Sequence, residues 1–491
     1  MSASSPATLQ TSSPSGSVEL SFATPAEVDR SCRAPVTLLF LCSALWLIIG
    51  LLMAMISSAQ MHAPGMFANA ESLTFGRMRP AASNALIYGF ALQAGWAMAL
   101  WMIARLGRVP LAGGGVIILA TLFWNFGVKL GVAGILGGDS TGFELLEMPR
   151  YAAPILFLAY SAIGVCGIVT LHARRERSLY FSHWLLFAAL LWFPWIYSTA
   201  ELLLIYFPVR GVFQTAINLW FANNLIELCL GPMGLAAVFY FIPKLIGRPL
   251  YSVQVAAIAF WTLLFFGSLG GLYAGLPLPK WMTTVSILAT VLLLVPLAAM
   301  AFNLKQTTAG VERGLCKCNL PLRFICAGTV FYFIAELLRV AGSLRSVNEV
   351  TRLTLFNPGV AALELYGFFL MVALGAFYYI QPRICDTNWA SEKAIRFHFG
   401  ATLLGVVLAA IPLLIGGVIQ GFRIRNPSAD FPSIARGLVP FIGLSTVGLT
   451  ILALAQLRFL FSFAGLLRRC CCGGVASEAS LKSEKSKGGQ R

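Results

Sequence analysis

The stretch from Val347 to Pro382, VNEVTRLTLFNPGVAALELYGFFLMVALGAFYYIQP, decides how the rest of this chain is interpreted. Its second half is an apolar run whose one charged side chain is Glu364. A run of about 20 apolar residues is long enough to cross the hydrocarbon core of a bilayer as a helix. The stretch therefore predicts a membrane helix that carries a buried acid.

The composition extends this prediction to the whole chain. Of its 491 residues 58% are hydrophobic and 11% are charged, whereas soluble proteins carry roughly 25% charged residues. In lipid the backbone must satisfy its own hydrogen bonds, and the apolar runs are too long for barrel strands. We therefore predict an all-α integral membrane protein of about twelve transmembrane helices, at 35–58, 82–105, 110–137, 150–173, 181–207, 212–243, 251–275, 282–304, 321–342, 357–381, 395–420 and 434–466.

These spans form one domain between two polar ends. Residues 1–34 are rich in Ser, Thr, Pro and Ala and lack the pattern of a cleaved signal peptide, so we predict a disordered lead. Residues 35–466 are predicted to form the membrane domain, and residues 467–491 a basic tail.

The net charge of +16 indicates membrane orientation rather than nucleic-acid binding, because no basic face or binding motif accompanies it. Lys and Arg concentrate in alternate short loops and in the tail, which predicts that both termini are cytoplasmic. Arg345, Arg423 and Arg425 are exceptions to this pattern. The residues that carry it are Arg105, Arg108, Arg174, Arg175, Arg177, Lys244, Arg248, Lys305, Arg313 and Lys317, against the acids Asp139, Glu144 and Glu147 of intervening loops.

Two groups of cysteines stand outside the apolar runs. They are predicted to lie on one side of the membrane. Two interpretations are open, a metal site shared by both groups and lipidation. Neither group has the spacing of zinc ligands, so lipidation of the second is the favoured of these two open interpretations. The groups are Cys316 and Cys318, and Cys470, Cys471 and Cys472.

Five motifs, in order along the chain, resemble the catalytic subunit of the cbb-type haem-copper oxidases and, more distantly, the nitric oxide reductases. The resemblance covers nearly the whole membrane domain and implies a bundle of twelve helices in three arcs. It also implies haem b and copper as cofactors, membrane-bound cytochrome c subunits as partners, and the bacterial inner membrane as the location. The motifs are LTFGRMRPAASNALIYGF (73–90), SLYFSHWLLFAALL (178–191), FYFIPKLIGRPLYS (239–252), LGAFYYIQPRI (374–384) and HFGATLLGVVLAAIPLLIGGVIQG (398–421).

The positions at which the family binds its cofactors carry other residues in this chain. The resemblance places haem ligands at Ala82, Val360 and Ala362. It places copper ligands at Asn223, followed by Asn224, and at Tyr273 and Ala274 of a seventh helix, in a run about two residues shorter than the family's.

The histidine count supports the same prediction without the family. The chain has four histidines, His62, His172, His183 and His398, and each is predicted near an end of a span. Haem iron needs an axial His, Met, Cys or Tyr, and copper centres of this kind use imidazoles. We therefore expect no haem, copper or other metal. Ligation through Met, Cys or Glu, with Glu227 as the candidate ligand for a metal, is the open alternative.

Charged residues inside the spans are the remaining candidates for function, because burying a charge in a membrane is costly. Glu227 lies four residues after Asn223, and Glu364 lies one turn after Val360, so both are predicted to face the emptied cofactor site. Asn223, Asn224, Glu227 and Glu364 thus form a candidate polar cavity, in which hydrogen bonding between helices is favoured over ion binding. The other intramembrane charges are Lys129, Glu201, Glu336 and Arg339, of which the last two are predicted to form an i, i+3 ion pair.

Three functions remain in view. The favoured one is a cofactor-free homologue of the oxidase subunit, acting as a structural, assembly or regulatory subunit of a respiratory complex and without catalytic residues. The alternatives are a redox enzyme with unusual haem or metal ligation, and a proton or cation conduit that uses the buried carboxylates.

Overall fold

The computed structural model describes residues 23–311, 314 and 319–487, with side chains as far as Cys470. Helices make up nearly all of this part of the chain, and no strand occurs in it. Eleven of the helices are long and apolar enough to cross a membrane, and a twelfth, α7, has 16 residues. The helices are α1 (Pro25–His62), α2 (Phe75–Gly107), α3 (Gly114–Gly137), α4 (Ala153–His172), α5 (Phe181–Tyr206), α6 (Phe213–Ile246), α7 (Val253–Ser268), α8 (Lys280–Thr308), α9 (Leu320–Ser343), α10 (Phe356–Cys385), α11 (Glu392–Ile424) and α12 (Phe431–Lys487).

The first helix begins earlier than its apolar run. Thr24 and Glu27 form a capping box, in which each side chain accepts a hydrogen bond from the other residue's backbone N–H, and Pro25 takes the first helical position. Residues 25–34 are therefore helical, and the predicted boundary of a disordered lead at residue 34 is wrong. Residues 1–22 lie outside the described residues.

The seventh helix ends earlier than predicted. α7 stops at Ser268, and the predicted span to residue 275 is wrong because Gly271 and Gly275 adopt positive φ angles of 101° and 88° and two prolines follow. Tyr273 and Ala274 consequently lie in the connection between α7 and α8 rather than on a helix.

Three helices form the interior of the bundle. In their most apolar windows α2, α6 and α10 have 100%, 89% and 78% of residues buried, compared with 39–50% for the other long helices. At one end they meet through aromatic rings, where Trp101 of α2 contacts Tyr240 and Phe241 of α6 and Tyr379 of α10. One helix in every four is thus an inner helix, which agrees with three arcs of four helices.

The inner helices are also where most of the π-helical geometry lies. Within the described residues each inner helix contains one π segment, and a fourth ends α5. Such segments are rare and occur mostly at functional sites. The inner segments are Ala85–Ala91 in α2, Leu225–Leu230 in α6 and Leu363–Leu370 in α10.

The bundle has two ends, which we call the N-terminal face and the opposite face. The N-terminal face carries the start of α1 and the connections α2–α3, α4–α5, α6–α7, α8–α9 and α10–α11. The opposite face carries the remaining connections, including α3–α4, α7–α8 and α9–α10.

Candidate functional site

A cavity of about 1220 Å³ opens at the opposite face and reaches down between the inner helices. Its walls include Ala82 of α2, Glu227 of α6 and both Ala362 and Glu364 of α10. Two positions at which the resemblance places haem ligands therefore face one shared space. Because π segments begin within three residues of Ala82, Asn223 and Ala362, the backbone is locally widened next to these positions.

Arg339 of α9 is the central charge of an ionic cluster beside this cavity, because its three carboxylate partners line the cavity. Its guanidinium forms ion pairs with Glu227 and, at 2.7 Å, with Glu336, and its Nε lies 3.9 Å from Glu364. The side chains of Glu227 and Glu336 are only 5% and 7% exposed. The predicted ion pair of Glu336 with Arg339 is confirmed, but it is one part of a cluster that joins α6, α9 and α10.

The carboxylates of this cluster are stabilised by a single cation. One guanidinium serves three carboxylates, and an unpaired charge in a protein interior costs several kcal/mol, about 3–5 kcal/mol when a buried pair is broken. Arg339 is therefore the cation that makes the buried acids of α6 and α10 tolerable. From the sequence, Arg339 was paired only with Glu336. The larger cluster could have been inferred from an arginine in an apolar run together with unpaired acids on two other spans, those of α6 and α10.

The two asparagines of the candidate cavity face different surroundings. Asn223 donates to the carbonyl oxygen of Gly267 at 2.9 Å, and its Oδ1 lies 3.5 Å from Nη1 of Arg339, so it contacts the cluster. Asn224 accepts a 3.0 Å hydrogen bond from Trp192 and donates to the carbonyls of Trp220 and Ser268, and it does not line the cavity. Neither asparagine lines the cavity, and only Asn223 contacts the Arg339 cluster beside it.

Tyr273 and Ala274, where the resemblance places copper ligands, both contact another arginine. Tyr273 lines the cavity with its ring 4.3 Å below the guanidinium of Arg352, a cation–π contact. The carbonyl oxygen of Ala274 accepts a 3.1 Å hydrogen bond from the same guanidinium. The polar chemistry near these positions is therefore that of a guanidinium and a phenol ring.

The remaining haem position, Val360, is buried on α10 and lies outside the cavity lining. Its side chain is packed within the hydrophobic core.

The donor set around the cavity does not fit a haem-copper centre. Among the described residues that line it there is no His or Cys, so it lacks the imidazoles of a copper centre. Its remaining donors of haem-ligand type are Met61 at its mouth and the phenols of Tyr273, Tyr332 and Tyr366. In the part of the chain that the structure describes, no group of three or more His, Cys, Asp and Glu is arranged to hold a metal ion. Three carboxylates that already contact a guanidinium are not the ligand set that copper or haem iron requires.

The histidines lie away from the cavity. His62 contacts Thr446 at 3.2 Å, His172 is exposed, and His183 is buried at the start of α5. His398 is buried between α10, α11 and α12, where Tyr378 lies 2.8 Å from its Nδ1 and Gln456 lies 3.3 Å from its Nε2. It is a hydrogen-bonded core residue.

One carboxylate near the cavity mouth has an altered titration. Glu147, in the connection between α3 and α4, lines the cavity, and burial raises its pKa from the ordinary value of 4.5 to about 7. A 2.7 Å hydrogen bond from Nδ2 of Asn84 opposes this shift. The burial of this acid is not predictable from the sequence, because Glu147 belongs to a polar loop.

Two predicted intramembrane charges lie apart from the cavity. Lys129 is exposed on the outer surface of α3. Glu201 is buried near the end of α5 and contacts Tyr197. Neither joins the Arg339 cluster.

The cysteine groups are only partly described. Cys316 and Cys318 lie outside the described residues, as do the side chains of Cys471 and Cys472. The thiol of Cys470 accepts a 2.9 Å hydrogen bond from Arg33 of α1.

Comparison with known proteins gives one consistent result. The family described as Cytochrome C and Quinol oxidase polypeptide I matches residues 34–451. The cytochrome c oxidase subunit 1 homolog of Azorhizobium caulinodans is 26% identical over 411 residues, which cover 81% of this chain and 74% of that protein. Cytochrome c oxidase subunit 1 of Rhodobacter capsulatus is 24% identical over 407 residues, covering 78% and 75%. The Cbb3-type cytochrome c oxidase subunit CcoN1 of Stutzerimonas stutzeri is 23% identical over 401 residues, covering 79% and 84%.

Proposed function

The chain belongs to the cytochrome c and quinol oxidase polypeptide I family, and we propose that it is a cofactor-free member acting as a structural, assembly or regulatory subunit of a respiratory membrane complex. The observation that carries this proposal is the Arg339 cluster. Its guanidinium supplies positive charge between α6 and α10, beside positions at which the family binds metal.

A cofactor site that has lost its metal has also lost the positive charge that compensated its acids. Without a metal, Glu227 and Glu364 would be buried carboxylates without a cation, and such charges are strongly destabilising. A guanidinium from α9 compensates them and also ties α6, α9 and α10 together. The three inner helices agree with the bundle of three arcs that the resemblance implies, so we infer that the scaffold is kept while its donors differ.

We also propose that the protein lies in a bacterial inner membrane with both termini in the cytoplasm. The connections on the N-terminal face carry most of the loop Lys and Arg, which favours this orientation. A reporter enzyme that is active only outside the cytoplasm, fused after Arg491, should be inactive. Activity of that fusion would reverse the orientation.

The test of the proposed role is assembly. The tagged protein is extracted in a mild detergent, and its co-migration with haem-bearing membrane subunits is followed on a native gel. We expect a complex in which a cytochrome c subunit carries haem, and we expect Arg339→Leu to lose it. Arg425→Leu is the matched control, because Arg425 is exposed and pairs only with exposed Glu349 at 3.4 Å. Migration of the unaltered protein as an isolated chain would contradict the proposal.

A second candidate, a proton or cation conduit, has one specific observation in its favour. Three carboxylates share one guanidinium, so the cluster holds surplus acid, and Glu364 is partly exposed to a cavity that opens at one face. In proteoliposomes, loss of flux in Glu364→Gln with unchanged flux in the exposed Glu349→Gln would support a conduit. Equal flux in the unaltered protein and in both variants would dismiss it.

A further inference from the structure

A second cavity lies at the N-terminal face, remote from the Arg339 cluster. It has a volume of about 810 Å³ and is formed by the start of α1, the end of α2, the start of α5 and the end of α6 with its following loop. Among the described residues, four cationic side chains line it and no Asp or Glu does. They are Arg105, Arg108, Lys244 and Arg248.

Two of these four cations are paired with carboxylates, and the other two are available to an anionic ligand. Arg105 is paired with Asp29 at 3.2 Å, and Arg108 with Glu176 at 3.7 Å. Among the ion pairs of the described residues neither Lys244 nor Arg248 has a carboxylate partner, although Arg248 donates to the carbonyl oxygen of Ala309. Two uncompensated cations beside two compensated ones favour a ligand with a phosphate group.

Helix α7 begins three residues after Leu250, a lining residue, and apart from its cations the cavity is lined largely by apolar side chains. Its walls include Phe181, Phe239 and Leu250. Beyond its rim the outward face of α7 exposes a row of large apolar side chains, Val253, Ile258, Trp261 and Phe265. A free phosphate makes no favourable contact with this apolar surface, whereas an acyl chain packs along it.

We propose that this cavity binds an anionic phospholipid, with the headgroup phosphate between Lys244 and Arg248 and the acyl chains along α7. Basic pockets between membrane helices on the cytoplasmic side bind acidic lipid headgroups by the same combination of charge and apolar contact. The site shares no residue with the Arg339 cluster, and its place on the cytoplasmic side rests on the proposed orientation.

Binding of short-chain phosphatidylglycerol to the purified full-length protein in detergent tests this site, with short-chain phosphatidylcholine and inorganic phosphate as comparison ligands. We expect phosphatidylglycerol to bind at least tenfold more tightly than phosphatidylcholine. The double variant Lys244→Gln, Arg248→Gln should weaken it by about 25-fold, since each cation near a lipid headgroup contributes about fivefold.

The matched control is the double variant Lys393→Gln, Arg396→Gln, which removes the same charge from exposed positions at the start of α11 on the same face. It should bind phosphatidylglycerol as the unaltered protein does. The charge-conserving pair Lys244→Arg, Arg248→Lys should retain binding and so separates charge loss from misfolding. Equal affinity for the two lipids, equal losses in both double variants, or displacement of the lipid by millimolar inorganic phosphate would overturn the proposal.

Discussion

Replacement of Arg339 by leucine removes the guanidinium that pairs with the buried carboxylates of Glu227 and Glu336. The substitution leaves Glu227 and Glu336, whose side chains are 5% and 7% exposed, without a cation. Breaking a buried ion pair by removing one partner costs about 3–5 kcal/mol. We therefore expect the free energy of unfolding of Arg339→Leu to fall by about that amount at neutral pH.

The assay is equilibrium unfolding in mixed micelles followed by tryptophan fluorescence, for which the chain has 11 Trp. Arg425→Leu is the control, because it removes an arginine from an exposed pair, which contributes about 0–1 kcal/mol. The deficit of Arg339→Leu should shrink as the pH is lowered, since protonation neutralises the carboxylates that lost their cation.

Removal of the stranded acids should restore stability. A triple variant with Arg339→Leu, Glu227→Gln and Glu336→Gln leaves no uncompensated charge at those positions, and neutral replacements of buried ion pairs are often neutral or stabilising. A loss in Arg339→Leu no larger than that in Arg425→Leu, or no recovery in the triple variant, would refute the idea that this guanidinium compensates the buried acids.

Three further predictions concern other parts of the fold. Glu147→Gln should raise the free energy of unfolding by up to about 3 kcal/mol above pH 7 and leave it unchanged below pH 4.5. The reason is that the raised pKa of Glu147, about 7, makes the stability of the unaltered protein fall as pH rises between these values. Glu144→Gln, at an exposed site, should have no such effect, and parallel pH curves for Glu147→Gln and the unaltered protein would contradict this. His398→Leu should cost about 1–3 kcal/mol by chemical unfolding, because two buried hydrogen-bond partners lose their contact, and an unchanged midpoint would count against that network. Gly417→Ala should cost about 1–3 kcal/mol, because a Cβ there would overlap the backbone at the start of α10, whereas Gly443→Ala meets open space; equal thermal stability of the two variants would contradict the close approach.

The fold was largely predictable because apolar length determines membrane helices. All twelve predicted runs contain a helix, and the structure differs mainly at their ends. Those ends depend on local chemistry: the capping box of Thr24 lengthens α1, and Gly271 and Gly275 shorten α7. Hydropathy alone does not register either effect.

The candidate site was only partly predictable. Helical spacing placed Glu227 and Glu364 toward one region, and the structure brings both to Arg339. The same spacing placed Asn224 there, but Trp192 and the end of α7 hold its amide elsewhere. Contacts between distant helices decide such side-chain directions, and the sequence of one helix does not contain them.

The central claim is that this family member carries out its role without haem or copper. The most direct measurement is the haem spectrum of this chain purified from its native membrane and separated from any cytochrome-bearing subunit, combined with iron and copper analysis of the same sample. We predict no Soret band and less than one tenth of an equivalent of either metal per chain, that is, about background. A Soret band with one iron per chain, abolished by substitution of a methionine within a span, would contradict the claim.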